Sequence, residues 1–389
     1  MTNAFDAIVV GVGGMGSATC WQLARRGKKV LGLEQFDIPH ASGSSHGINR
    51  IIRLAYYEDP SYVPLLKRAY ELWRELEFAC GEHLLHITGS IDASEPDGIV
   101  FSGALESCKL HDLSHEVLTS SELTRRFPGY QLPDDYLALY QNEGGFLLSE
   151  RCIVQHADEA MKLGAEIHGR ETVLDWTTTE HGITVRTTRA VYRTDKLIFT
   201  AGAWMGVLLD DLASLLKPER QVLAWLQPVE PSLFTPETFP VFNLTVPEGR
   251  YYGFPIYGNP GFKIGRYHHL DETIDPLEPL RAADLADEEI LRAFVSRYTP
   301  AANGPALALR TCIFTNSPDE HFIIDTLPDD ERIIVASPCS GHGYKFCSVV
   351  GEILADLAID GSTRHNISLF KLDRFQAEKN PVPDFGDRV

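Results

Sequence analysis

The sequence predicts an α/β fold in two parts: a largely parallel, dinucleotide-binding sheet, and a second α+β unit carrying a mixed or antiparallel sheet. Three observations lead there. A strand, a glycine loop, a helix and a second strand follow one another at the N-terminus. Two further strand-to-loop junctions of small residues occur near residues 200 and 340. Between these lie two stretches of different texture, about 83–145 and 216–310. At 389 residues the chain is also longer than one compact core usually holds.

The first element is the apolar run 4–10, which reads as a short buried strand. Gly11-Val12-Gly13-Gly14-Met15-Gly16 follows directly, and residues 17–26 have helical character with Gly27 as their stop. Residues 29–33 read as the next strand and end at Glu34. This order is the Rossmann-type fingerprint. Gly11 permits a tight turn, Gly13 lets a pyrophosphate approach the backbone, and Gly16 lets helix and strand pack closely. The helix N-terminus turns free N–H groups toward the phosphates. Glu34, about 20 residues on, suits ribose hydroxyls and disfavours a 2′-phosphate. The motif alone does not separate FAD from NAD.

Further along, residues 165–168 and 173–176, the latter beginning at Val173, read as strands, with 182–185 as part of a hairpin. The apolar run 195–200 leads into Ala201-Gly202-Ala203-Trp204, a junction with small residues suited to lie near a cofactor. A third junction joins the buried strand 332–336 to the loop Cys339-Ser340-Gly341-His342-Gly343-Tyr344-Lys345-Phe346 and then to an amphipathic helix over 348–359. Such a loop aims backbone N–H groups at an electron-rich group. Region 83–145 carries several candidate strands and few helical signals, and 216–310 is rich in Pro and aromatics. The expected division is therefore 1–82, 146–215 and 311–389 for the dinucleotide domain, with 83–145 and 216–310 forming one substrate domain, inserted twice, that roofs the cofactor. The tail after Phe375 is expected to be mobile.

Composition narrows the function. A formal charge of −19 argues against nucleic acid, which demands Lys and Arg clusters. No stretch approaches the roughly 18 apolar residues that span a bilayer, and the early strand leaves no room for a secretory signal. Seven scattered cysteines without a C-x-x-C pair point away from a disulfide framework or a zinc site, and toward a reducing cytoplasm; no metal is expected.

Five motifs occur in order: Ser44-Ser45-His46-Gly47-Ile48-Asn49-Arg50-Ile51-Ile52-Arg53; Tyr252-Gly253-Phe254-Pro255; Lys263-Ile264-Gly265; Asp319-Glu320-His321-Phe322-Ile323-Ile324-Asp325; and Ser340-Gly341-His342-Gly343-Tyr344-Lys345-Phe346. With the N-terminal fingerprint they make the chain resemble, over essentially its full length, the family of monomeric sarcosine oxidases and N-methyltryptophan oxidases. The resemblance implies a glutathione-reductase-like or D-amino-acid-oxidase-like fold and a monomer. It implies FAD tethered through Cys312, and hydride removal from the C–N bond of an N-alkyl amino acid. Electrons then pass to O₂, giving H₂O₂ and an imine that hydrolyses. Arg53 and Lys345 match the pair that holds the substrate carboxylate; Lys263 matches the lysine that helps activate oxygen; His46 and Arg50 match residues beside the flavin ring. Tyr252 matches an aromatic that lines the family's substrate cavity. Ser44, Gly341, His342 and Gly343 fall on the cofactor side.

Three departures surround the substrate. Phe314 stands where the sarcosine enzyme has tyrosine, Tyr267 where it has histidine, and Asn49 where it has threonine. They leave open a larger N-substituted amino acid, a cyclic imino acid or a glycated amino acid. A dehydrogenase using another electron acceptor shares the same features, and a non-catalytic flavoprotein is disfavoured by Arg53 and Lys345. No general base is assigned, because a pocket of Arg and Lys lowers the substrate amine's pKa by like-charge repulsion.

Overall fold

A computed structural model of the chain describes residues 4–258 and 261–375; the tail expected to be mobile, beyond Phe375, lies outside them. The strand Ala4–Val10 sits at the centre of the first sheet, parallel to Val30–Leu33 on one side and to Val191–Phe199 on the other. Glu166–His168 and Asp330–Ser337 extend the parallel set outward. Both faces of this set are covered, which is why its strands read as continuous apolar runs. The expected hairpin forms from Val173–Thr179 and Gly182–Thr187, and it pairs onto Val191–Phe199. The helix Gly14–Arg25 ends where Gly27 takes φ +72°.

Two readings change. The helix expected to be amphipathic, Cys347–Asp360, is buried on nearly every side. Small residues permit this: a Cβ on Gly351 would lie 2.7 Å from the backbone of Ala18 in the neighbouring helix. Its polar positions are absorbed, Ser348 donating to the Ala69 carbonyl and Glu352 pairing with Arg68 and His365. Region 83–145 also holds more helix than expected, Ile99–His111 and Ser120–Arg126. Val100, Phe101, Ala104 and Cys108 make the buried stripe of the first, but Ser and Gly among them blur its period.

The second sheet has eight strands in the order Ala306–Asn316, Lys217–Leu226, Phe262–Arg266, Gly249–Phe254, Val241–Val246, Ser90–Ser94, Leu137–Gln141 and Glu116–Thr119. It is antiparallel except where Val241–Val246 runs parallel to Ser90–Ser94. Strand Ala306–Asn316 passes through residue 310 before the chain returns to the first sheet at Ile323–Leu327. One face packs on helix Leu285–Tyr298 through Val222, Phe242, Phe262, Ile264, Leu291 and Phe294. The other face looks at the dinucleotide sheet. A small third sheet, Asn49–Ile52 with Gly145–Leu148 and Leu85–Ile87, bridges the two parts. Among the described residues no helix is long and apolar enough to cross a membrane, and the seven cysteines are unpaired.

Candidate active site

A deep cleft, about 1550 Å³ with its open mouth, runs from the glycine loop to the underside of the second sheet. Gly11, Gly13, Gly14 and Met15 line one end with Glu34 beside them. Gly11 has φ +91°, and a Cβ on Gly16 would lie 1.8 Å from the Gly11 carbonyl oxygen, so the turn and the helix contact both demand glycine. A Cβ on Gly13 would meet nothing nearer than 3.7 Å, which leaves room for a phosphate. The Glu34 carboxylate accepts from the N–H groups of Val12 and Phe36 at 2.9 and 3.0 Å and still faces the cleft. Val173, Ala201, Gly202 and Trp204 form the next section of wall, and Gly341 and Gly343 close it near Phe314.

The cleft then meets the loop carrying Ser44 and His46. The Glu150 carboxylate holds this loop by accepting from the N–H groups of Gly47 and Ile48, at 2.7 and 3.0 Å. Ile48 has φ +76°, a costly conformation for a β-branched side chain, so the loop is held in strain beside the cleft. Arg50 donates to the Ser44 carbonyl at 2.7 Å and lies 3.7 Å from the Cys312 sulfur. Burial pushes the Cys312 thiol up, but the neighbouring His46 imidazole and Arg50 guanidinium outweigh it and hold the thiol down to about 7. That is the electropositive setting in which a thiolate forms. Ser44 Oγ and His46 Nε2 are buried without partners. A tapering cleft with a glycine-lined phosphate end, a ribose acid, and unmet polar atoms around a thiol fits FAD.

Strand periodicity explains how distant residues converge. In the second sheet Lys263 lies opposite both Trp225 and Phe254, and Gly265 opposite both Leu223 and Tyr252. Side chains of alternate residues share a face, so Lys263, Tyr252, Cys312 and Phe314 all lie on the face toward the cleft. Lys263 Nζ donates to the carbonyls of Gly47 and Asn49, each at 2.8 Å, and to Asn49 Oδ1 at 3.0 Å. All three donors are satisfied, with no carboxylate among the acceptors. Burial and the Arg50 charge hold its pKa well below the usual lysine range.

Arg53 and Lys345, which are not among the residues lining that cleft, come together around one ring: the Arg53 guanidinium lies 4.6 Å and the Lys345 ammonium 5.2 Å from the centre of Tyr56. Lys345 donates to the His342 carbonyl at 2.8 Å. Burial, then the Arg53 charge, lower its pKa to about 7. Arg53 is not a free cation. Its Nη2 contacts both oxygens of Glu58, at 2.8 and 3.1 Å, and Asp92 lies 3.5 Å from its Nε. Burial would raise the Glu58 carboxyl, yet Arg53, His342 and Lys345 hold it down to about 2. Burial raises Asp92 to about 6 against the pull of Arg53.

Tyr267 lies 5.1 Å from Tyr252 and 5.9 Å from Phe314, so two of the three departures join Tyr252 in one aromatic wall, while the third, Asn49, accepts from Lys263. The His342 side chain turns away from the cleft. Its Nδ1 meets the Tyr56 hydroxyl at 2.5 Å, its Nε2 meets the Glu320 carbonyl, and its ring stacks on Phe322. Sequence reasoning missed Glu58, Asp92, Glu150 and Arg250. Each acts through a partner distant in the chain, and only the closeness of Glu58 to Arg53 offered any local signal.

Comparison with known proteins agrees with this geometry. Residues 6–357 match the family described as FAD dependent oxidoreductase (DAO). A monomeric sarcosine oxidase of Bacillus sp. (strain NS-129) is 41% identical over 387 residues, covering 98% of this chain and all of that one. An N-methyl-L-tryptophan oxidase of Yersinia pestis (strain Pestoides F) is 34% identical over 375 residues, covering 96% and 100%. Among solved structures, the open form of NikD, described as an unusual amino acid oxidase essential for nikkomycin biosynthesis, superposes with a TM-score of 0.83 at 26% identity, covering 95% of this chain and 98% of that one.

Proposed function

This chain belongs to the FAD dependent oxidoreductase family, and from that premise we propose that it oxidises the C–N bond of an N-substituted amino acid, with O₂ as the electron acceptor. The observation that carries the reading is the convergence of Arg53 and Lys345 on Tyr56. Two cations there receive a carboxylate and fix the amino acid's backbone.

Bound FAD supplies the two-electron acceptor for the hydride that leaves the carbon beside nitrogen. The chain's residues do the rest. Arg53 and Lys345 orient the carboxylate, and their charge favours the neutral amine, whose lone pair becomes the C=N bond as hydride departs. Tyr252, Tyr267 and Phe314 enclose the substituent. Lys263 and Arg50 would place cationic donors, and His46 an imidazole, where negative charge develops as oxygen is reduced to H₂O₂. The imine released is hydrolysed by water.

Two finer readings go with this. FAD is tethered by a thioether to Cys312, supported by the lowered thiol pKa beside Arg50. The protein works as a monomer in the cytoplasm, supported by the name of its sarcosine oxidase relatives and by seven unpaired cysteines.

The primary test is peroxide release under air across N-methyl, cyclic and glycated amino acids. Peroxide with an N-substituted amino acid supports the reading; flavin bleaching without peroxide assigns electrons to another acceptor. For the tether, acid precipitation leaves the yellow colour in the pellet, and Cys312→Ser moves it to the supernatant. Colour in the supernatant of the unaltered protein excludes the thioether.

A further inference from the structure

Arg250 opens the strand Gly249–Phe254, and its even spacing with Tyr252 and Phe254 places it on the sheet face that carries Lys263 and Cys312. Its guanidinium lies 3.9 Å from the centre of the Tyr267 ring and 5.6 Å from that of Tyr57. The Tyr57 ring also contacts the Arg53 guanidinium, at 4.3 Å. Tyr267 in turn contacts Tyr252 and Phe314, which bound the substrate and flavin ends. Arg250 is therefore one aromatic ring from the carboxylate-binding cation and one ring from the cleft wall.

Among the described residues the Arg250 guanidinium donates no hydrogen bond and forms no ion pair. This sets it apart from the other deep arginines. Arg53 holds Glu58, and Arg220 holds Asp287 at 2.6 Å. The acids near Arg250 are already committed, Glu58 to Arg53 at 2.8 Å and Glu320 to His268 at 3.2 Å. Yet Arg250 retains accessible surface, as does the Tyr252 beside it. Enclosing a guanidinium with unmet donors is costly. Stacking on Tyr267 offsets part of that cost and fixes the planar fork in place. A fork so held, unpaired and partly accessible, is complementary to a carboxylate.

We propose that Arg250 forms a second anion subsite, and that the substrate class is N-substituted amino acids bearing a second carboxylate, on the side chain or on the N-substituent. This rests on the function proposed above: Arg53 and Lys345 receive the α-carboxylate and Arg250 the second one.

The test separates binding from turnover. The holoenzyme is titrated with glutarate and with pentanoate, ligands of equal length that carry two carboxylates and one, following flavin absorbance. Glutarate binds about ten- to hundredfold tighter, the factor for a hydrogen bond to a charged group. Arg250→Met abolishes the difference while leaving pentanoate within threefold, and Arg250→Lys retains part of it. Equal affinities in the unaltered enzyme, or parallel weakening of both ligands in Arg250→Met, overturn the subsite. In turnover, N-methylglutamate exceeds N-methylnorvaline in kcat/KM by a similar factor; equal turnover of the two overturns the proposed class while the oxidase reading stands. If glutarate is preferred and neither amine yields peroxide, the oxidase reading fails and the subsite survives.

Discussion

Arg53 and Lys263 are equally buried, each 1% exposed, but they are neutralised in opposite ways. Arg53 faces the carboxylates of Glu58 and Asp92, which raise its pKa despite the opposing effect of burial. Lys263 faces two backbone carbonyls and an amide oxygen, and burial with the nearby Arg50 drives its pKa down. Arg53 thus belongs to an ion-pair network that holds its charge at every accessible pH. Lys263 has only dipoles as hydrogen-bond partners, so an anion that forms nearby gains strongly from its protonated form.

The most severe way to break this contrast is to delete each cation. Arg53→Met strands Glu58 and Asp92 in the interior and lowers stability by about 3–5 kcal/mol, the cost of removing one partner of a buried pair. The deficit shrinks as pH falls, because the stranded carboxylates take up protons. Lys263→Met strands only neutral carbonyl and amide oxygens, at about 1–3 kcal/mol each, and the removal of a desolvated charge offsets much of that, so its loss is smaller than that of Arg53→Met. Urea denaturation of the two holoenzyme variants measures the difference, and equal losses would mean that Lys263 too is structurally paired.

The order reverses in chemistry. Lys263→Met slows reoxidation of the reduced enzyme by O₂ by about 10²- to 10³-fold, the range for removing one donor aimed at developing charge. Reduction by substrate slows far less. Anaerobic and aerobic stopped-flow measurements separate the two half-reactions, and equal slowing of both contradicts the oxygen role.

The same contrast marks what the sequence could disclose. Gly11, Gly13, Gly16 and Glu34 were legible because each has a reason within a single strand–turn–helix unit. Lys263 and Cys312 were legible only through resemblance, although once the pairing register is known their convergence follows from a period of two. Of the network around Arg53, only Glu58, close to it in the chain, offered a local signal. Asp92 lies on a strand of the second sheet, 39 positions along, and nothing in its neighbourhood marks it as buried beneath an arginine. Arg250, next to the turn glycine Gly249, carries no signal in its own neighbourhood, because what surrounds it, Tyr267 and Tyr57, comes from elsewhere in the fold. Helix Ile99–His111 was hidden by its Ser and Gly, and packing of its buried stripe overrides their weak propensity.

Lys345 stands between the two cations and gives the smallest effect. It shares Tyr56 with Arg53, yet like Lys263 it donates to a backbone carbonyl. Burial and the Arg53 charge lower its pKa from 10.5 to about 7. The free site therefore loses its second cation as pH rises through 7, while Arg53 keeps its charge. If only the protonated site binds well, affinity for pentanoate falls about fivefold between pH 7 and 8. Pentanoate has no amine, so no ligand titration obscures the result. The sign for folding is the opposite. The unfolded chain holds this proton up to 10.5 and the folded chain only to about 7, so the contribution of Lys345 to stability rises with pH across that window. Lys345→Met abolishes both slopes, and a pentanoate affinity flat from pH 6 to 9 in the unaltered enzyme would place Lys345 with Arg53 as a permanent charge.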